Sequence, residues 1–241
     1  MHHPHIKFYA SPIKDSKTAA LFIKEAKYSG GQNLEWAFYA KYPELRSSAL
    51  KDARTINDLI KKKYANIIGL RQQLAQHEQR WNKISKKYFA LVEDLFGARV
   101  WPKGKYVAYG TIWGMYPRFL EDKTFQIPYK HKHPRYILVV IAHELLHFMF
   151  YDYFFEIYPK YRANKYNFFV WNVSEIFNTV IQNSSSWIRV FKTESMSYPE
   201  HEKIVAKILK KFVLGQYADT QALIGAIILE MKTSLKKEKL S

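Results

Sequence analysis

The chain has 241 residues, with 38 Lys and Arg against 21 Asp and Glu, a formal charge of +17 and no cysteine. The absence of thiols excludes disulfides and every thiolate metal site, so any metal has to be held by His, Asp or Glu. A hydrophobic content of 48% with 17% aromatics, against nine Gly and nine Pro, excludes a disordered tail.

The N-terminal stretch MHHPHIKFYASPIK lacks the apolar run of a signal peptide, so a cytoplasmic protein is expected. A short strand is expected at Ile6 to Ala10. From about Ser16 to Phe96 the pattern is helical, with breaks near Gly30-Gly31 and Pro43. Its clearest part repeats bulky residues at alternating spacings of three and four: Ile67, Leu70, Leu74, His77, Trp81, Ile84, Tyr88, Leu91 and Leu95. Trp81, Tyr88 and the polar His77 suit a seam packed within the chain better than a tight two-stranded coiled coil. Gly97 is placed to cap the end of this helix.

Between Arg99 and Tyr129 the period shortens. Tyr106 to Trp113 and Thr124 to Tyr129 read as strands of a small antiparallel sheet. Helices follow over 134–155, 168–184, 199–214 and 220–237, with Pro199 opening the third and Gly215 closing it. The expected fold is α+β and mostly α-helical, with the small sheet beside the helix of residues 134–155 and a long helical N-terminal half. A division into 1–97, a helical N-terminal region, and 98–241, the core, follows from this pattern; the two could also form one compact domain. The most apolar stretch, Tyr136 to Tyr151, is short for a membrane span and carries His143, Glu144 and His147 at its centre, which fits a buried helix of a soluble protein and no transmembrane segment.

Within IAHELLHFMF, His143 and His147 lie four apart, so on a helix both imidazoles project from one face and can share a metal ion. Glu144 follows about 100° further round, beside the metal and suited to take a proton from a water. Burying these three polar groups in an apolar run without partners would cost several kcal/mol in order of magnitude, and a metal gives that burial a reason. A third ligand is needed. A histidine six residues after His147 is absent, since Tyr153 stands there, and Asp152 falls on the opposite face of a continuous helix. Glu175 is the better candidate: in WNVSEIFNTVIQN, Asn172, Glu175, Thr179 and Gln182 form a polar stripe opposite an apolar face of Phe169, Val173, Ile176, Phe177 and Val180. The same stripe is also compatible with a solvated surface. Glu194, Glu200 and Asp219 are the other acids downstream.

With HELLH at 143–147 and SEIFN at 174–178, the sequence resembles the gluzincins, zinc metallopeptidases in which a helix bearing HExxH is followed by a helix that supplies a glutamate. The resemblance covers about residues 98–215. It implies one zinc ion per chain held by His143, His147 and Glu175, with Glu144 as general base, and a peptide or protein substrate aligned by the edge of the small sheet, at residues 98–131. The oxyanion of such a reaction usually needs a second donor, for which His201, Tyr198 and Tyr217 are candidates, the first two preferred. Two other classes are weighed against the hydrolase. A zinc-binding interaction or structural protein without turnover has no use for Glu144. A basic nucleic-acid-associated protein would use the charge for phosphates and the aromatics for stacking, but no single basic stripe stands out and the aromatics crowd the apolar helices at 136–177, where core packing explains them.

Overall fold

Two parallel strand pairings tie the N-terminus to the middle of the chain. In the computed structural model, which describes residues 3–24, 42–43, 53–97, 99–164 and 167–238, the N-terminal strand β1 (Ile6–Ala10) pairs with β2 (Tyr106–Thr111), Ile6 opposite Tyr106 and Ala10 opposite Gly110. β2 pairs in parallel with β4 (Thr124–Pro128), and the two-residue β3 (Arg118–Phe119) closes the order β1-β2-β4-β3 by running antiparallel to β4. The sheet is therefore mixed, not antiparallel as the strand pattern suggested. Parallel neighbours need a long crossover, and the helical segment between β1 and β2 is that crossover. No local period of the sequence records it.

The helices are α1 (Pro12–Lys24), α2 (Ala53–Ala65), α3 (Leu70–Phe96), α4 (Pro134–Ile157), α5 (Phe168–Gln182), α6 (Ser185–Phe191), α7 (Glu202–Val213) and α8 (Thr220–Glu238), with short 3-10 turns at Pro159–Asn164 and Pro199–His201. The fold is α+β and mostly helical. The expected break at Gly30-Gly31 lies outside the described residues. α6 was not expected: its seven residues are too few for a periodic signal, and it is defined instead by Ser184, whose hydroxyl accepts the Trp187 amide, and by Lys192 in the left-handed region at its end.

Contacts group the chain into two compact units: one of residues 4–81 and 104–141, the other of residues 1–3, 82–103 and 142–241. The grouping does not fall at residue 97. The β1–β2 ladder places 104–141 with the N-terminal part, and the end of α3 goes with the C-terminal part.

In the first unit α1 packs on α2 over a core of Ala19, Phe22, Tyr42, Ile56, Ile60 and Trp113. Its polar centre is Asp15, 1% exposed. The carboxylate accepts the Ile112 amide (3.0 Å), the Tyr64 hydroxyl (2.9 Å) and the Gln126 side-chain amide (2.7 Å), while the Trp113 indole N–H donates to the Asp15 carbonyl (2.9 Å). One residue thus ties α1, α2, β4 and the segment after β2 together. Burial pushes its carboxyl above the ordinary carboxylate range, and the hydrogen bonds from Thr111, Ile112, Tyr64 and Gln126 oppose that only in part.

The seam of α3 is buried as expected at Leu74, His77, Trp81 and Tyr88, but then moves one residue along, to Val92 and Phe96 in place of Leu91 and Leu95. A straight helix drifts by roughly 20° per heptad against a strict seven-residue repeat, so the buried stripe changes register. In the second unit Tyr88 meets the rings of Trp101, Trp187 and Phe191, and its hydroxyl donates to the carbonyl of Ala142 (3.3 Å). Gly97 takes the expected left-handed cap, with φ of 63°. Gly215 does the same after α7 (φ 66°), where its amide reaches the Phe212 carbonyl and the Gln216 amide reaches Lys211.

α4 is long and apolar enough to cross a membrane, but 78% of its most apolar 18-residue stretch is buried inside the protein. It is a core helix. α5 is the hub of the second unit, packed by α6, α7 and α8.

Replacing Asp15 by Ala leaves four donors, Thr111 and Gln126 fully buried among them, without their acceptor, and the expected cost is on the order of 3 kcal/mol. Urea unfolding followed by circular dichroism checks this, and a loss below ~1 kcal/mol would show that the clamp is not what holds the unit.

Candidate metal centre

The three residues expected to converge do so, all within the second unit. α4 carries His143 and His147 one turn apart, and α5 brings Glu175 against them. The Nε2 atoms of the two histidines are 2.9 Å apart. Glu175 places Oε2 at 3.2 Å from His143 Nε2 and Oε1 at 3.3 Å from His147 Nε2. Among the described residues this is the one group of three or more His, Cys, Asp or Glu side chains whose ligand atoms fall within 4.8 Å of one another.

These distances can be tested against a metal. Ligands at ~2.0–2.2 Å from a tetrahedral ion stand roughly 3.3–3.6 Å from each other. The observed 2.9 to 3.3 Å is tighter by a few tenths, so rotamer adjustments, not backbone rearrangement, would admit an ion. Two nitrogens and a carboxylate form a donor set for a borderline metal. The His143, His147 and Glu175 group can hold a metal ion.

Burial explains why the cluster needs one partner or another. His147 is fully buried and Glu175 is 4% exposed, while His143 keeps 21% of its side chain open. Burial pushes the Glu175 carboxyl up, but the charges of His147 and His143 and the hydrogen bonds from both rings outweigh it and hold the carboxyl well below the usual carboxylate range. Burial pushes the His143 ring down, and is outweighed by the hydrogen bond and charge of Glu175, the charge of Glu144 and the Gln182 hydrogen bond, which carry it up to about 9. Without metal, a proton does the work of the cation.

The outer groups fix the ligands. The Gln182 carbonyl oxygen accepts the His143 Nδ1 hydrogen (2.9 Å), which leaves Nε2 facing Glu175, and the same oxygen accepts the Ser195 hydroxyl (3.1 Å). Asn178 donates to the His143 carbonyl (3.0 Å), bolting α5 to the motif. Thr179 donates to the Glu175 carbonyl (2.8 Å), and Ser174 lies 3.3 Å from the Tyr151 hydroxyl. The stripe at Asn172, Glu175, Thr179 and Gln182 is buried throughout, so the solvated-surface reading does not hold. Glu144 is buried at 5% exposure, and its charge acts on His143.

The other acids are engaged elsewhere. Asp152 pairs with Arg99 (2.9 Å), which also binds Glu156, and Asp219 caps α8 through the Ala222 amide (2.8 Å). Glu194 and Glu200 are exposed. Tyr217 is placed against Glu230, whose charge helps burial push its phenol up. His201 and Tyr198 stand at the N-terminal end of α5, their rings against Trp171. The Asn172 amide donates to the Phe168 carbonyl (2.8 Å), so its oxygen accepts the His201 Nε2 hydrogen (2.5 Å). Burial pushes the His201 ring down against the charges of Glu200 and Glu175, and its Nε2–H is spent on Asn172.

Sequence reasoning missed Ser195 and Asn178. Asn178 had a signal, since it lies three residues after Glu175 on the same helix. Ser195 had none, because it reaches Gln182 across a loop. Comparison of the chain with protein-family profiles, with curated proteins and with solved structures finds no match in any of the three.

Two outcomes follow for metal binding. The His143 proton must leave before Nε2 can ligate, so metal affinity rises about tenfold per pH unit below about 9 and flattens above it. In the metal-free protein the sign is opposite: a folded-state pKa above the unfolded value gives a stabilisation complete below 6.5 and lost as pH rises through about 9. Competition titrations with a zinc chelator and thermal melts across that range check both. Gln182→Leu frees the His143 ring and should weaken metal binding roughly 10–100-fold. An unchanged affinity would show that Gln182 does not orient the ligand.

Proposed function

We propose that the protein is a zinc-dependent, metallopeptidase-like hydrolase of the gluzincin type. The observation that carries the reading is the convergence of His143, His147 and Glu175 with a fourth polar group, the buried Glu144 carboxylate, beside them. A ligand set alone serves a structural ion. A buried acid next to it, which is not one of the ligands, fits a proton acceptor.

The residues divide the work as follows. His143 and His147 present Nε2 and Glu175 its carboxylate, with Gln182 and Asn178 holding the first histidine. Zinc held there would acidify a water and polarise a carbonyl, which is the chemistry the side chains cannot supply alone. Glu144 takes the proton of the attacking water and returns it to the departing amine. Its side chain is buried, at 5% exposure. Of the two expected oxyanion donors, the Tyr198 hydroxyl is the better one, because the His201 ring spends its Nε2–H on Asn172. His201 then positions the start of α5 and acts through Asn172.

Glu144→Gln keeps the shape of the site and removes the base. Zinc should stay bound at about one ion per chain, while hydrolysis of an unstructured protein substrate such as casein falls by roughly 10²–10⁴-fold. Zinc retained with no hydrolysis in the unmodified protein would leave a metal-binding module and sink the hydrolase. Loss of zinc on His143→Ala or His147→Ala is the companion measurement.

A further inference from the structure

Between Asp122 and Glu144 the chain has no acidic residue, and the turn from β4 into α4 falls inside that gap. Its sequence, YKHKHPRY at 129–136, alternates Lys130, Lys132 and Arg135 with His131 and His133. Lys130, Lys132, His133 and Arg135 are exposed and His131 is half-buried. None of the three cations makes an ion pair among the described residues. All of these groups belong to the first unit.

A run of surface cations is ordinarily a solvated face, but this one is built on a fixed turn. At its root the Tyr129 amide donates to the Thr111 carbonyl (3.3 Å), and the Tyr129 carbonyl accepts from Nε2 of the buried His77 (2.8 Å). At its far end the Tyr136 amide donates to the His133 carbonyl (3.0 Å), and His131 Nδ1 stands 3.1 Å from both the amide and the carbonyl of His133. The His131 ring lies against Tyr136 at 4.3 Å and 33°, and Tyr116 meets Tyr136 edge-on at 6.4 Å and 65°. Tyr136 is thus held on two sides and still keeps 39% exposure. A placed, exposed ring among unneutralised cations offers two things at once: charge for phosphates and a platform for a base.

We propose that the turn at 130–136 binds single-stranded nucleic acid, with Lys130, Lys132 and Arg135 on phosphates and a base stacked on Tyr136. An acidic polypeptide would use the cations and leave the ring idle. A membrane surface needs apolar side chains to enter the acyl boundary, and residues 129–136 contain no Leu, Ile, Val, Phe or Met. A single strand alone presents base faces and phosphates together, since a duplex stacks its bases on each other. None of these residues belongs to the metal centre, so the surface stands whether or not zinc hydrolysis does.

The test is fluorescence anisotropy of a labelled oligothymidylate and of an abasic strand of equal length, titrated with the full zinc-loaded chain over a range of salt. The oligothymidylate should bind with a Kd on the order of 10⁻⁵ M at physiological salt and about tenfold tighter than the abasic strand. Joint replacement of Lys130, Lys132 and Arg135 by Ala should lower the slope of log K against log salt by ~2, because each phosphate contact on a single strand contributes ~0.7. The same change at Lys83, Lys86 and Lys87, three exposed cations of α3, removes equal charge and should leave binding nearly unchanged. Tyr136→Ala should erase the advantage over the abasic strand and Tyr136→Phe should keep it, with circular dichroism to verify both folds. A zinc chelator should change nothing. Equal losses from the two triple variants, an abasic strand that binds as well, tighter binding to phosphatidylserine vesicles, or release by the chelator each overturn the proposal.

Discussion

A carboxylate buried between two imidazoles is the constraint on which the second unit of this protein is arranged. Glu175 has left water almost completely, and a charge in that position is tolerable only with positive charge and hydrogen bonds on top of it. The two histidines supply both, from a helix otherwise made of Ile, Leu, Val, Phe and Met. Everything around the cluster keeps the three groups in register. Asn178 holds α5 to the carbonyl of His143, Gln182 turns the ring, and the Tyr88 hydroxyl takes the carbonyl just before the motif.

The aromatic packing follows from the same need. A helix pair that must meet within a few tenths of an ångström cannot rest on side chains with many rotamers. Phe150 contacts Phe154 and Phe177 at 5.1 to 5.3 Å between centroids, and Phe177 meets Phe96 at 5.9 Å. Rings have two side-chain torsions and bury large areas, so they fix α4, α5 and the end of α3 at low entropic cost. The aromatic content that a composition-based reading could assign to base stacking is thereby largely used inside the fold.

The first unit solves a different problem in a similar way. Asp15 holds α1, α2 and two segments of the sheet region through its carboxylate and carbonyl. Here the buried acid has neutral donors and no cation, so its carboxyl is pushed up, whereas that of Glu175 is pulled down. The contrast separates a clamp from a ligand: neutral donors satisfy a carboxylate in place, and paired imidazoles prepare it for a metal.

The sequence by itself determined the helical character, the ends at Gly97 and Gly215, the seam of α3 and the pair His143 and His147 with Glu144. These are local matters: a 3.6-residue period, a left-handed cap and a four-residue spacing are written in neighbouring residues. Glu175 was legible at one remove, through a polar stripe at helical spacing, but burial of that stripe needed the neighbours α6, α7 and α8. Tertiary structure alone decided the parallel pairing of β1 with β2, the shift of the α3 seam to Val92 and Phe96, the reach of Ser195 to Gln182, and the hydrogen bond that ties up His201. Each depends on what lies across space from the residue, and the pleat, the helix drift and the hydrogen-bond partner are set by that distant surface and not by the chain nearby.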